Sequence, residues 1–262
     1  MIYGWKRLLI LALVLGATAC GKKPAALPPG SAEADKFLFE RGQEAVKNEK
    51  WVNAREYFRN IVDNYPQSPF RPDAKLALGD TYLSQGGTEN LLLAANEFRE
   101  FQTFYPTHQR ADYAQLQLAR SYTRQMLAPE RDQSATRDAI KEIEVFLQRY
   151  PNSALMSDAR QIEREAKDRL STAGYRVGYF YFRQRWYPGA IDRFREVLSN
   201  DPQFTRRDAV YYYLAEALYR TDKKAEALPY YERLLREFEQ SEYLAETQKR
   251  VAELKGATPG GR

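Results

Sequence analysis

The sequence predicts an all-α protein, an α-solenoid of five antiparallel helix pairs with one long helix linking the third and fourth pairs. Two observations lead to this expectation: a spacing of small and apolar residues that recurs five times, and a proline after four of the five recurrences. Steps of four, three and four residues place side chains along one stripe of an α-helix. Proline then ends the helix, because it lacks an N–H group and disfavours helical geometry in the residue before it. The stripes are Ala54, Phe58, Ile61 and Tyr65; Ala94, Phe98, Phe101 and Tyr105; Ala139, Ile143, Phe146 and Tyr150; Ala190, Phe194, Val197 and Asp201; and Ala227, Tyr231, Leu234 and Phe238.

A partner helix is expected before each stripe, because a second spacing recurs upstream of all five. There a small residue is followed three positions later by another small, aromatic or apolar residue. The whole pattern resembles the tetratricopeptide repeat, an antiparallel helix pair of about 34 residues in which small residues let the helices approach closely. Loop insertions make the repeats of this chain longer. The upstream pairs are Gly42 and Ala45, Gly79 and Tyr82, Ala119 and Tyr122, Gly178 and Tyr181, and Ala215 and Leu218.

The long helix is expected from about Ser153 to Arg185. One apolar stripe continues through this stretch, and no proline interrupts it between Asn152 and Tyr187. The helix divides the repeats into a block of three pairs and a block of two. The expected organisation is a lipoprotein signal peptide at 1–19, a lipidated cysteine and flexible tether at 20–33, the N-terminal repeat block at 34–152, the long helix and C-terminal repeat block at 153–255, and a loose tail at 256–262.

The N-terminal segment has the layout of a bacterial lipoprotein signal. Lys6 and Arg7 precede an apolar run at 8–15 that is too short to span a bilayer, and small residues lead to Cys20. Cys20 is the only cysteine, so it has no disulfide partner within the chain. An ordinary signal peptide with an incidental cysteine is the alternative. By the sorting rule of such lipoproteins, Gly21 after the cysteine implies the outer membrane, and the Pro-rich stretch that follows predicts a tether.

Composition argues against an enzyme and against a nucleic-acid-binding protein. His108 is the only histidine, so neither a zinc site nor a Cys–His pair can be assembled from the chain. No Gly-rich phosphate loop is present, and no strand is expected to carry one. The 40 basic and 35 acidic residues are well mixed, which is typical of a solvated surface. We therefore expect no catalytic residues, no metal, no cofactor and no nucleic-acid partner.

The combination of signal, tether and irregular repeats resembles the BamD lipoprotein family of the outer-membrane β-barrel assembly machine. Four local stretches add to this resemblance: YPTHQRADYA, RYPNSALMSDA, AKDRLS and TRRDAV, which begin at Tyr105, Arg149, Ala166 and Thr205. The resemblance implies a non-catalytic scaffold at the periplasmic face of the outer membrane. Its implied partners are the POTRA domains of a BamA-like barrel protein, other lipoproteins of the machine, and unfolded outer-membrane β-barrel proteins.

The resemblance also implies two sets of binding residues. Arg193 matches a family arginine at the BamA interface, with Asp192 and Arg195 as neighbours; a solvated arginine is the alternative. Substrate is expected on the concave face of the N-terminal block, where apolar pockets with Arg120 and Arg124 would suit the aromatic residue and free carboxylate that end a barrel strand. Some members of this second set are alternatively core residues. The set is Phe39, Gln43, Val46, Leu76, Asp80, Leu83, Tyr113, Leu116, Arg120 and Arg124.

Two other functions fit the same fold. One is a periplasmic tetratricopeptide protein that coordinates cell-wall synthesis with envelope constriction. The other is a lipid-anchored accessory protein whose repeats recruit an envelope hydrolase.

Overall fold

The structure, a computed structural model, describes residues 33–256, so the predicted signal peptide, Cys20, nearly all of the tether and most of the tail lie outside the described residues. This part of the chain contains eleven α-helices and no strand. The helices are α1 (Ala34–Lys47), α2 (Trp51–Asn64), α3 (Arg71–Gln85), α4 (Thr88–Phe104), α5 (Ala111–Thr123), α6 (Ser134–Arg149), α7 (Met156–Arg183), α8 (Tyr187–Asn200), α9 (Arg207–Arg220), α10 (Lys224–Glu237) and α11 (Leu244–Leu254).

Consecutive helices pack against each other along the whole described chain, as in an α-solenoid. The five predicted pairs are α1 with α2, α3 with α4, α5 with α6, α7 with α8, and α9 with α10, so the predicted fold class is confirmed. The repeat pattern does not anticipate α11, which packs against α10 as a single helix. Its outer face is largely polar and exposed, which suits the last helix of a stack.

The glycines of the pattern lie where an aromatic ring of the partner helix needs their space. A Cβ atom on Gly42 would lie 2.4 Å from a ring carbon of Phe58, and one on Gly178 would lie 2.7 Å from the ring of Phe194. Both phenylalanines are buried, and a close-packed interior leaves little room for such a shift. The spacing in the sequence therefore encodes a direct contact within each pair.

The long helix α7 sets the relation between the two blocks. It has 28 residues, twice the 14 of α8, and ends within a few residues of the predicted bounds. Lys167 Nζ of α7 lies 3.5 Å from Glu144 of α6, whereas Tyr175 of α7 packs against Phe194 of α8. Thus α6 packs against the N-terminal half of α7 and α8 against its C-terminal half, and the two sets of contacts overlap near the middle of α7.

In the fourth helix pair the stripe ends in a polar residue, Asp201, and the contacts of this residue explain the difference from the other pairs. The other four stripes end in a partly buried tyrosine or phenylalanine, but Asp201 is only 4% exposed. Its carboxylate accepts a hydrogen bond from Ser171 Oγ at 2.8 Å and forms a salt bridge with Arg164, both on α7. A charged contact in this unit thus fixes the end of α8 to the middle of the long helix.

Candidate partner-binding surfaces

A groove runs along α7 between α6 and α8, and we call it the α7 groove. Its volume is about 910 Å³. Residues of all three helices line it, and the part of α7 that follows Leu170 forms its floor. The floor is apolar, and Val177 and Phe180 are 40% and 57% exposed. The apolar lining residues from α7 are Leu170, Ala173, Gly174, Val177, Phe180 and Tyr181, and Lys167, Ser171 and Arg176 of the same helix line it as well.

The walls of the α7 groove carry both signs of charge. Arg193 and Glu196 of α8 form one side, and Glu144 of α6 belongs to the other. The inserted loop between α5 and α6 closes one end, where Glu130 pairs with Arg176 of α7. An apolar floor with a charged rim is the usual anatomy of a protein-binding surface.

The structure places the predicted interface arginine on this groove. The Arg193 side chain is 47% exposed, and its only ion pair within residues 33–256 is with Glu196, one helical turn away at 2.7 Å. An exposed pair of this kind contributes little stability, so the guanidinium can change partner at small cost. Asp192 is exposed beside it. Arg195 instead faces α10, where it pairs with Glu226 at 2.6 Å, and it does not line the groove.

The second predicted surface is the inner face of the N-terminal block, which the first helices of the pairs, α1, α3 and α5, form together. Its three leucines are core residues: Leu76, Leu83 and Leu116 are 0%, 6% and 2% exposed. In this conformation the three leucines pack in the core below the inner face, where a ligand cannot reach them. Phe39 and Val46 of α1 are partly buried and retain some exposure, and Gln43 is exposed.

A hydrogen-bonded network occupies the centre of this inner face. Tyr113 of α5 donates a hydrogen bond from its hydroxyl to Asp80 Oδ1 of α3 at 2.8 Å. Gln117 Nε2 donates to the Tyr113 hydroxyl at 2.8 Å and to the same Asp80 oxygen at 3.4 Å. Burial, followed by the nearby Asp80 charge, raises the pKa of Tyr113 to about 12, so the phenol stays a donor at neutral pH. Sequence reasoning missed Gln117, although its position one turn from Tyr113 was a usable signal.

The two candidate substrate arginines are engaged within the protein. Arg120 Nη1 donates to Gln117 Oε1 at 3.0 Å, and its other terminal nitrogen lies 3.3 Å from Asp158 of α7. Arg124 donates to the backbone carbonyl of Leu83. The structure therefore brings Tyr113, Asp80 and Arg120 into one network, and it holds Arg124 against the last turn of α3.

No catalytic or metal-binding constellation accompanies these surfaces in the part of the chain that the structure describes. No three His, Cys, Asp or Glu side chains within residues 33–256 are grouped so as to hold a metal ion. His108 lies in the turn before α5, where its Nδ1 accepts the backbone N–H of Arg110 at 3.2 Å. None of the described helices combines the length and apolar character that crossing a bilayer requires.

A comparison with protein families decides the identity of this solenoid. The model of a family described as "YfiO: Outer membrane lipoprotein" matches residues 31–227, which include the first four helix pairs, the α7 groove and α9. The chain belongs to the YfiO family of outer membrane lipoproteins.

Relatives of this YfiO-family chain carry one shared name, "Outer membrane protein assembly factor BamD". The protein of Caulobacter vibrioides is 27% identical over 210 residues, covering 80% of this chain and 67% of its own length. That of Rickettsia prowazekii is 26% identical over 213 residues, covering 81% of this chain and 79% of its own. Among solved structures, the "TPR2AB-domain:pHSP90-complex of yeast Sti1" has a TM-score of 0.43 at 11% identity, covering 86% of this chain and all of that chain.

Proposed function

We propose that this YfiO-family protein is a non-catalytic scaffold lipoprotein of the outer-membrane β-barrel assembly complex. It binds the POTRA region of a BamA-like barrel protein and captures unfolded outer-membrane proteins, and so promotes their folding and insertion. The observation that carries this proposal is the family match over residues 31–227, together with relatives that are named assembly factors. Helix-pair solenoids are suited to the task because they offer extended surfaces to other polypeptides.

The α7 groove is the proposed site for the POTRA region. Val177 and Phe180 provide apolar area that a partner side chain can cover, and large exposed apolar side chains within a polar rim are typical of interaction sites. Arg193 on the wall exchanges Glu196 for a carboxylate of the partner, in a geometry that allows two parallel hydrogen bonds. Other lipoproteins of the complex bind elsewhere on the solenoid.

Cys20 holds the scaffold at the periplasmic face of the outer membrane. Its thiol carries the lipid, and the tether up to residue 33 connects it to α1. Each buried methylene contributes about 0.8 kcal/mol to membrane binding, and several acyl chains are needed for stable anchoring. A Cys20→Ala variant is accordingly expected in the soluble periplasmic fraction.

The proposal predicts which proteins copurify from detergent-solubilised envelopes. Wild-type protein should recover a barrel protein with POTRA domains, and Arg193→Glu should reduce that recovery more than about tenfold, because a like charge replaces an attractive one at the interface. Arg41→Glu is the matched control, since Arg41 and Glu44 form the same exposed pair at 2.7 Å on α1. Recovery of cell-wall enzymes without any barrel protein would contradict the proposal.

A further inference from the structure

Asp80 presents an unpaired carboxylate oxygen at the centre of the inner face. Both hydrogen bonds that the network makes to this side chain, from Tyr113 and from Gln117, end on Oδ1. Oδ2 accepts none within residues 33–256, and it is not among the buried atoms that lack a partner. The network therefore orients a half-buried carboxylate and leaves Oδ2, which is not fully buried, without a hydrogen bond among the described residues.

The cations around Asp80 do not neutralise it by direct pairing. Arg110 pairs with Asp73 at 3.1 Å, and its guanidinium lies 4.6 Å from the centre of the Tyr113 ring. Arg120 is held by Gln117 and Asp158, and Arg124 is held by a backbone carbonyl. Within residues 33–256 the Asp80 carboxylate therefore has no direct ion pair, although Arg110 and Arg120 are near enough to act on its charge.

Such a surface suits the main chain of an extended polypeptide. An extended segment presents backbone N–H groups along its length, and each needs an acceptor when it leaves water. A carboxylate that accepts such a hydrogen bond makes a stronger one than a neutral oxygen does. Phe39 and Val46 on the neighbouring helix α1 offer apolar area to the side chains of the same segment. A free chain terminus would instead bring a second negative charge towards Asp80.

We propose that Asp80, oriented by Tyr113 and Gln117, binds main-chain N–H groups of unfolded β-barrel proteins, so that recognition does not require their free C-terminal carboxylate. This inference rests on the proposed function, because it concerns how the captured substrate is held. It also assigns Gln117 a positioning role, since its amide and the Tyr113 hydroxyl together fix the Asp80 side chain.

The test uses the full chain purified in detergent and a short fluorescent peptide of alternating apolar and polar residues that ends in Phe. The peptide is made with a free C-terminal carboxylate and with a C-terminal amide, and binding is followed by fluorescence anisotropy. Both forms should bind with dissociation constants within about twofold of each other, because the end group is not a determinant. Asp80→Asn should weaken both about tenfold, because it replaces the Oδ2 acceptor by a donor and leaves Oδ1 for Tyr113.

Controls separate this effect from a loss of folding. Asp63→Asn changes an exposed aspartate on α2 and should bind both peptides like the wild type. Burial raises the pKa of Asp80, so its ionised form destabilises the fold at neutral pH, and Asp80→Asn should melt no lower than the wild type. A strong preference for the free carboxylate, or full binding by Asp80→Asn, would overturn this inference and leave the proposed function standing. Binding of neither peptide would also overturn the proposed capture of unfolded substrates.

Discussion

Replacement of Glu216 with alanine is expected to lower the free energy of unfolding by about 3–4 kcal/mol, because it removes the buried partner of two arginines. Glu216 of α9 is 2% exposed. Its Oε1 accepts hydrogen bonds from Tyr231 of α10 at 2.6 Å and from Arg250 of α11 at 2.8 Å, and Oε2 lies 3.3 Å from Arg220. One carboxylate therefore ties the last three helices together, and α11 should detach first.

Urea denaturation measures the change in stability, and hydrogen exchange of the α11 amides measures the detachment. Glu253→Ala is the comparison variant. It removes an exposed carboxylate that pairs with the same Arg250 at 3.1 Å and accepts a hydrogen bond from Tyr219, and it should lower the stability much less than Glu216→Ala does. Unchanged stability and unchanged α11 protection in Glu216→Ala would contradict the assigned role.

The same carboxylate predicts how stability depends on pH. Burial alone would raise the pKa of Glu216, but the hydrogen bonds from Arg250 and Tyr231 outweigh it and hold the pKa below its ordinary value of 4.5. Because the folded-state pKa is the lower one, the stabilisation is complete above the unfolded-state pKa and is lost as the pH falls through the folded-state pKa. The difference in stability between wild type and Glu216→Gln should therefore shrink on acidification below about pH 4.5.

Asp201→Ala is expected to lower the free energy of unfolding by about 2–3 kcal/mol. The change leaves Ser171 without its acceptor and leaves Arg164 with only Asp168, at 3.1 Å, among its described ion pairs. Because Asp201 holds the end of α8 to the middle of α7, the variant should also loosen the wall of the α7 groove.

Chemical denaturation measures the loss in Asp201→Ala, and hydrogen exchange at the end of α8 locates it. Asp192→Ala, at an exposed aspartate of the same helix, should change stability by less than about 0.5 kcal/mol. Equal stability of the two variants would show that the buried salt bridge with Arg164 does not hold α8.

The helix pairs and the long helix were predictable because each depends on local spacing. Gly42 and Phe58 belong to adjacent helices, so their contact follows from a short and regular separation in the sequence. The helix α11 was not anticipated, because Ala252 is followed three positions later by Lys255, so the spacing that marks the first helix of each pair is incomplete there.

The candidate surfaces were only partly predictable, because exposure depends on how whole helices are displaced. The α7 groove depends on how α6 and α8 are placed along α7, and no sequence pattern within one helix predicts that placement. The repeat pattern predicts Leu76 and Leu116 on the inner face, but both are core residues, whereas Val177 and Phe180 are exposed. Arg193 was found from a family resemblance alone.

The most direct test of the proposed scaffold is calorimetric titration of the full chain in detergent with the purified POTRA region of its barrel-forming partner. The wild type and Arg41→Glu should bind with the same dissociation constant. Arg193→Glu and Phe180→Ser, which change the wall and the floor of the α7 groove, should each weaken binding at least about tenfold. Equal binding by all four proteins would place the interface elsewhere, and absence of binding by the wild type would contradict the scaffold function itself.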